Sequence, residues 1–179
     1  MVQDETDKQL VEQALDGHVE AFNLLVWRWQ RHLFNFLLRL TGDRSLAEDL
    51  CQEAFLRSYL HLKELRDRER FRSWLFRIAV NLYRSDRRRL TPLAADAPES
   101  DVGGGPTAPS HPIPRETELA IRTLILQLRA ELREVILLRF FHGLQFDEMA
   151  EILDCPVSTL KSRLYKAVDE LRLGLQGRK

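Results

Sequence analysis

The sequence predicts an all-α fold: two small helical domains joined by a flexible linker. Three observations predict it. Apolar residues recur at helical spacing on both sides of the chain's middle, no alternating strand pattern competes with them, and the middle itself is built of residues that cannot pack. That middle, Thr91 to Arg115, reads TPLAADAPESDVGGGPTAPSHPIPR and holds six of the seven prolines and the Gly103 to Gly105 triplet, so it is assigned as a linker. As a coil it spans roughly 25 to 30 Å, and fully extended about 80 Å, so the flanking domains can be separate bodies that grip distant points.

Taken in order, the first long element is the dense apolar run Val19 to Leu40, ended by Gly42 and Asp43. Ser45-Leu-Ala-Glu48 then has capping-box spacing, and the helix it opens puts Ala47, Leu50, Cys51, Ala54, Phe55 and Ser58 on one face. Asp49, Gln52, Glu53 and Leu56 share another face, acidic and apolar together. Further on, Phe71, Trp74, Leu75, Ile78, Ala79 and Leu82 make a third apolar stripe, with Arg72, Arg77, Asn81, Arg84 and the Arg87 to Arg89 run lying off it.

Beyond the linker, Phe146, Met149, Ala150 and Leu153 follow the i, i+3, i+4, i+7 rule, with Asp147 and Glu148 in the first turn where carboxylates complement the helix dipole. Asp154 and Cys155 break that helix, and Pro156 suits the first position of another. In the second helix Val157, Leu160, Leu164 and Leu171 face inward, while Ser158, Thr159, Ser162, Tyr165 and Lys166 face away, flanked by Lys161 and Arg163. Two short helices, a tight turn, the small Ala150 at the close approach and a donor-rich outer face together read as a helix-turn-helix. Charge sorts sharply at Pro156, with acids before it and bases after. Acids on the supporting helix stay away from phosphates, and bases sit where a duplex would lie.

Composition bounds the class. A chain of 179 residues, 44% hydrophobic, can bury one core or two small ones without disulfides. The two cysteines, Cys51 and Cys155, make neither a disulfide framework nor a metal-spaced cluster, which fits a reduced, intracellular setting. The polar, acidic start MVQDETDKQ carries no secretory signal, and no apolar run reaches membrane-spanning length, so a cytoplasmic protein with no membrane insertion is expected. Net charge is zero, yet residues 63 to 90 carry ten basic and four acidic groups, a local footprint for phosphates.

The runs AEDLCQEAFLRSYLHL (47 to 62) and FRSWLFRIAVNLYRSDRRR (71 to 89) resemble region two of the extracytoplasmic-function group of bacterial RNA polymerase sigma factors. LRAELREVILLRFFHGLQFDEMAEILDCPVSTLKSRLYKAVDEL (128 to 171) resembles region four of the same group. The motifs match in order on both sides of the linker. The resemblance implies region two over 1 to 90, the linker over 91 to 115 and region four over 116 to 179. It implies that core RNA polymerase docks on Asp49, Gln52, Glu53 and Leu56. It implies that the basic block from Lys63 through Arg89 recognises the minus-ten element and holds the opened strand, with Arg66, Arg70, Arg72, Arg77, Asn81 and Arg84 as contacts and His61 to Arg70 as the loop that pockets a flipped base. At the minus-thirty-five element the DNA-binding set is Ser158, Thr159, Lys161, Ser162, Arg163, Tyr165 and Lys166, of which Ser162, Tyr165 and Lys166 are expected to meet base edges, and Thr159, Lys161 and Arg163 phosphates. Lys161 and Lys166 stand where the family often has arginine, which weakens bidentate reading of guanine, and Asp154 replaces a frequent glycine. The partners implied are core RNA polymerase, promoter DNA as duplex and opened strand, and an anti-sigma factor.

No catalytic constellation accompanies these motifs. There is no Gly-rich phosphate loop, no metal-spaced His and Cys cluster and no nucleophile beside a base, so no enzyme activity, cofactor, metal or small-molecule substrate is expected. The five histidines, His18, His32, His61, His111 and His142, are scattered and read as ordinary surface or packing residues. A dimeric operator-binding regulator and a region-two mimic that binds no DNA are the competing classes. The first predicts no co-elution with core polymerase, and the basic face of 157 to 166 argues against the second.

Overall fold

A computed structural model describes residues 5–90 and 115–176, and every regular element among the described residues is helical. The helices α1 (Asp7–Leu15), α2 (Val19–Thr41), α3 (Arg44–Leu60) and α4 (Phe71–Leu90) form an amino-terminal unit, with short 3-10 turns at Leu62–Glu64 and Arg68–Arg70 before α4. The helices α5 (Arg115–Gln127), α6 (Ala130–Ile136), α7 (Phe146–Leu153) and α8 (Val157–Gln176) form a carboxy-terminal unit, in which a π turn at Leu137–Phe141 extends α6. The expected linker lies outside the described residues, apart from Arg115, which opens α5.

Helix ends follow from side chains that satisfy the first free N–H groups or allow the last turn to reverse. Thr6 caps α1: its hydroxyl accepts from the Gln9 N–H at 3.3 Å while the Gln9 side chain accepts from the Thr6 N–H at 2.8 Å. The Thr6 to Gln9 spacing signals this helix in the sequence, and the reading above passed over it. Gly42 ends α2 at φ 75, donating to the Leu38 carbonyl, and a Cβ there would stand 3.0 Å from Leu126 Cδ2. Both the left-handed turn and the close approach of α5 therefore call for glycine. The expected cap at Ser45 is corrected: Asp43 caps α3, its carboxylate accepting from the Leu46 N–H at 3.1 Å. Asp43 is already extended after the glycine turn, and Arg44 draws the Glu48 carboxylate to 2.9 Å, so Glu48 is not free to reach back.

In the amino-terminal unit α2, α3 and α4 share one core. Ala47, Leu50, Cys51, Ala54, Phe55 and Ser58 of α3 are all buried, as their spacing predicts. They meet Leu33, Phe36, Leu37 and Leu40 of α2 and Phe71, Leu75 and Ala79 of α4. In the carboxy-terminal unit Leu132, Val135 and Ile136 of α6 pack with Met149, Ile152 and Leu153 of α7 and Leu160 and Ala167 of α8.

The two units are in contact, although a linker of this length would also let them stand apart. The cause lies on α4, where Phe76, Val80 and Tyr83 recur at i, i+4, i+7 off the anticipated stripe and are buried as well. Helix α4 is thus apolar on two faces, one against α2 and α3, the other against α7. Arginines interspersed along that second face disguise it as a solvated one. Across the contact Arg84 of α4 donates to both oxygens of Glu134 on α6, from Nε at 3.0 Å and Nη2 at 2.7 Å, and the Glu134 side chain is only 1% exposed. Arg133 of α6 donates to the Leu40 carbonyl at the end of α2 at 2.6 Å.

The α7–α8 turn supplies a stability test. Asp154 holds φ 52 and ψ 51, the one non-glycine residue with positive φ among the described residues. Asp154→Gly is expected to raise stability by about 1 kcal/mol and Asp154→Val to lower it by at least as much, read as opposite shifts of the thermal midpoint by circular dichroism.

Candidate nucleic-acid and polymerase interfaces

Helices α7 and α8 meet at the turn the sequence anticipates. The αL residue Asp154 returns its N–H to the Ala150 carbonyl, and Cys155 N–H bonds the same carbonyl at 3.3 Å, so the chain reverses around a side chain no larger than a methyl. Pro156 stands at the capping position, accepting from the Leu160 N–H at 3.1 Å, one residue before the helix proper. Leu160 and Ala167 point into the core. On the other side Ser158, Lys161, Ser162, Tyr165 and Lys166 are exposed, Tyr165 at 71%, and Thr159 and Arg163 are half-buried. Two members of this face are drawn back toward the turn. Arg163 Nη1 approaches Cys155 Sγ at 3.8 Å, and Lys161 Nζ lies 5.7 Å from the Phe146 ring centroid.

The region-two candidates separate into two groups. Arg66, Arg77 and Asn81 are exposed. Arg70, also exposed, and half-buried Arg72 and Arg84 are turned to carboxylates of the carboxy-terminal unit: Arg70 to Glu151, Arg72 to Glu148, and Arg84 to Glu134 and, through Nη1 at 3.3 Å, the Leu153 carbonyl. Arg70 also contacts Asp67 at 3.2 Å within the loop before α4. The Glu134 hydrogen bond, partly opposed by burial, raises the already high pKa of Arg84, so this guanidinium stays charged. The acids before Pro156 therefore do more than keep clear of phosphates. They neutralise the basic block of the other unit.

On α3, Asp49, Gln52 and Leu56 are exposed and Glu53, half-buried, accepts from Arg57 Nε at 2.7 Å. Leu56 is 53% exposed and Leu60, one turn on, 66%. Trp27 on neighbouring α2 is 76% exposed. Sequence reasoning missed Leu60 beside Leu56, although their i+4 spacing was a usable signal, and it missed the exposed Trp27. Among the described residues no group of three or more His, Cys, Asp or Glu side chains could hold a metal ion, and no helix is long and apolar enough to cross a membrane.

Comparison with known proteins assigns the two units. Residues 25–92 match the family model Sigma-70 region 2, and residues 118–171 match Sigma-70, region 4. The chain is 35% identical to the ECF RNA polymerase sigma-E factor of Haemophilus influenzae, over 98% of each chain. It is an extracytoplasmic-function sigma factor. It is also 32% identical to the RNA polymerase sigma-H factor of Pseudomonas aeruginosa, over 98% of this chain and 97% of that one. Among solved structures, CnrH in complex with the cytosolic domain of CnrY matches with a TM-score of 0.74 and 25% identity, over 98% of this sigma factor and all of that chain. Coverage of both units in one superposition means that their mutual placement, as well as each fold, is similar. The sigma factor RpoE in complex with the anti-sigma factor NepR from Bartonella quintana shares the fold, with a TM-score of 0.68 and 22% identity over 87% of this chain and 96% of that one.

Glu148 ties this sigma factor's α7 at two points. One carboxylate oxygen accepts from the Gln145 N–H at 2.8 Å, and the other meets Arg72. Partial burial would raise its pKa, but the Gln145 N–H and the Arg72 guanidinium outweigh that and hold it below 4.5. A depressed carboxylate stabilises above its ordinary pKa and ceases to as pH falls through the lowered one. Glu148→Gln is therefore expected to cost about 1 kcal/mol at neutral pH and progressively less below pH 4.5, measured as urea midpoints across a pH series.

Proposed function

We propose a division of labour for promoter-specific initiation in which α8 reads the minus-thirty-five element, α4 with the loop before it takes the minus-ten element and its opened strand, and α3 docks on core polymerase. The observation that carries this reading is the pairing, in one chain, of an outward donor face on α8 with an exposed acidic and apolar face on α3. On α8, Ser162, Tyr165 and Lys166 are the base-edge contacts, and Ser158, Thr159, Lys161 and Arg163 position the helix on phosphates. On the region-two side, Arg66, Arg77 and Asn81 are accessible as the units stand, and Arg70, Arg72 and Arg84 join them once Glu151, Glu148 and Glu134 withdraw. Asp49, Gln52, Glu53 and Leu56 meet the polymerase, with Leu60, one turn on from Leu56, extending the apolar part of that surface.

The phosphodiester chemistry belongs to the polymerase, so the chain acts as a non-enzymatic subunit without cofactor and works in the cytoplasm, where polymerase and promoter meet. An anti-sigma factor is a further partner in this reading, one that holds the two units in their mutual contact; CnrH is complexed with the cytosolic domain of CnrY, and RpoE with the anti-sigma factor NepR. In vitro transcription with bacterial core polymerase on genomic fragments, followed by mapping of start sites, tests the assignment. Lys166→Ala is expected to lower output from promoters so found roughly fivefold to tenfold while core binding is unchanged. Asp49→Ala combined with Glu53→Ala is expected to weaken core binding and leave the α8 face intact. Equal loss of both functions in either variant would overturn the division.

A further inference from the structure

The contact between the units pairs three of the five arginines proposed for the minus-ten strand with carboxylates: half-buried Arg72 and Arg84 with Glu148 and Glu134, and Arg70, still exposed, with Glu151. Phosphates and these carboxylates compete for the same donors, so the arrangement masks region two. At the far edge of the contact, in the bend after the π turn, sits His142. Its ring lies edge-on to Phe36 of α2, with centroids 5.4 Å apart at 84°, and to Phe76 of α4, at 5.0 Å and 62°. Its Nε2 is buried and has no hydrogen-bond partner. A region-four residue is thus inserted between two aromatic rings of region two, and opening the contact would return it to water.

A neutral imidazole fits such a site because its edge meets ring faces and its bulk fills apolar space. An imidazolium does not, since it carries a second donor and a charge, and the groups around it offer no counter-charge. From α2 it faces Arg39 and His32, and from α4 Arg72, all cationic or able to become so. Arg39 is itself stacked on Phe141 at 4.7 Å, with Arg122 and Glu118 of α5 beyond it. From its own unit, Glu148 is spent on Arg72 and the Gln145 N–H, and Arg139 donates to the Leu144 carbonyl at 2.9 Å. A cleft of about 230 Å³ between Trp29, His32, Arg72 and Phe141 runs alongside the ring and lets protons reach it.

We propose that the two units of the free chain close on one another as a self-masking state latched by neutral His142, and that protonating His142 opens it and uncovers Arg70, Arg72 and Arg84. Burial foremost, then the charges of Arg39, His32 and Arg72, pushes the imidazole down to about 3 in the closed state, against 6.5 ordinarily. A group depressed on closing favours the closed state fully while it is neutral in both states, and that advantage is lost as pH falls below 6.5. Between about pH 7.5 and about pH 5.5 the ratio of open to closed rises about tenfold. The uncovering rests on the reading of the three arginines as strand contacts; the opening does not.

Small-angle X-ray scattering of the full chain at low salt is expected to show a larger radius of gyration at the lower pH, with helicity by circular dichroism unchanged. His142→Phe keeps the aromatic packing without a titratable group and is expected to remain compact at both. In the wild type, the ring-proton titration of His142 by NMR is expected to have its midpoint below 6.5, and it needs no variant. A midpoint at 6.5 with an unchanged radius, or a His142→Phe chain that expands like the wild type, overturns the latch. Fluorescence anisotropy with a labelled single-stranded DNA oligonucleotide tests the second half: binding should strengthen with expansion in the wild type and not in His142→Phe. Expansion without tighter binding overturns the uncovering and the strand assignment beneath it, while leaving the latch in place.

Discussion

A carboxylate as enclosed as Glu134 has to be paired, and in this chain its partner comes from the other unit. Arg84 reaches it with two parallel N–H groups and spends a third on the Leu153 carbonyl, so the docking of α4 on α6 and α7 is fixed in register and orientation. Such a pair adds little net stability over an apolar contact, but removing one member while the contact stays closed strands the other charge at about 3 to 5 kcal/mol. The consequence is geometric specificity. With Arg84 seated, Arg70 and Arg72 fall opposite Glu151 and Glu148, Phe76 falls beside His142, and α2 presents the Leu40 carbonyl to Arg133.

That contact is also the part of the structure that was hardest to foresee. Periodicity located α2, α3, α7 and α8 because each has one dominant apolar stripe, and Gly42, Asp154 and Pro156 mark their ends by backbone preference. It captured only one of the two buried faces of α4. Phe76, Val80 and Tyr83 are interleaved with Arg72, Arg77 and Arg84, and a stripe bordered by guanidiniums reads as a solvated surface unless its carboxylate partners, dozens of residues away, are known. The cap of α3 was misplaced for a local reason. Asp43 and Ser45 are both good capping residues, and the glycine turn at Gly42, not propensity, decides that the extended residue is Asp43.

The candidate site was legible to a similar degree. The outward face of α8 could be read off because a helix that packs with Leu160 and Ala167 inward leaves its other positions little choice. The exposed part of the α3 surface followed from the same reasoning. His142 was unreadable as anything but an ordinary histidine. Its setting depends on Phe36 and Phe76, which come from two helices of the other unit, and no local pattern records that convergence.

The sorting of charge about Pro156 can now be given a fuller cause. With a duplex on α8, as proposed, acids on α7 would lie behind that helix, where they do not oppose phosphates. With the units closed, Glu148 and Glu151 of α7 meet Arg72 on α4 and Arg70 in the loop before it, beside an apolar contact. One short acidic helix therefore serves two arrangements of the same chain, and both arrangements require that its charges be confined to the side of the turn away from the bases of α8. A basic residue at Glu148 would remove the Gln145 cap and repel Arg72 at once, so the sign of this position is set by α4 as firmly as by DNA.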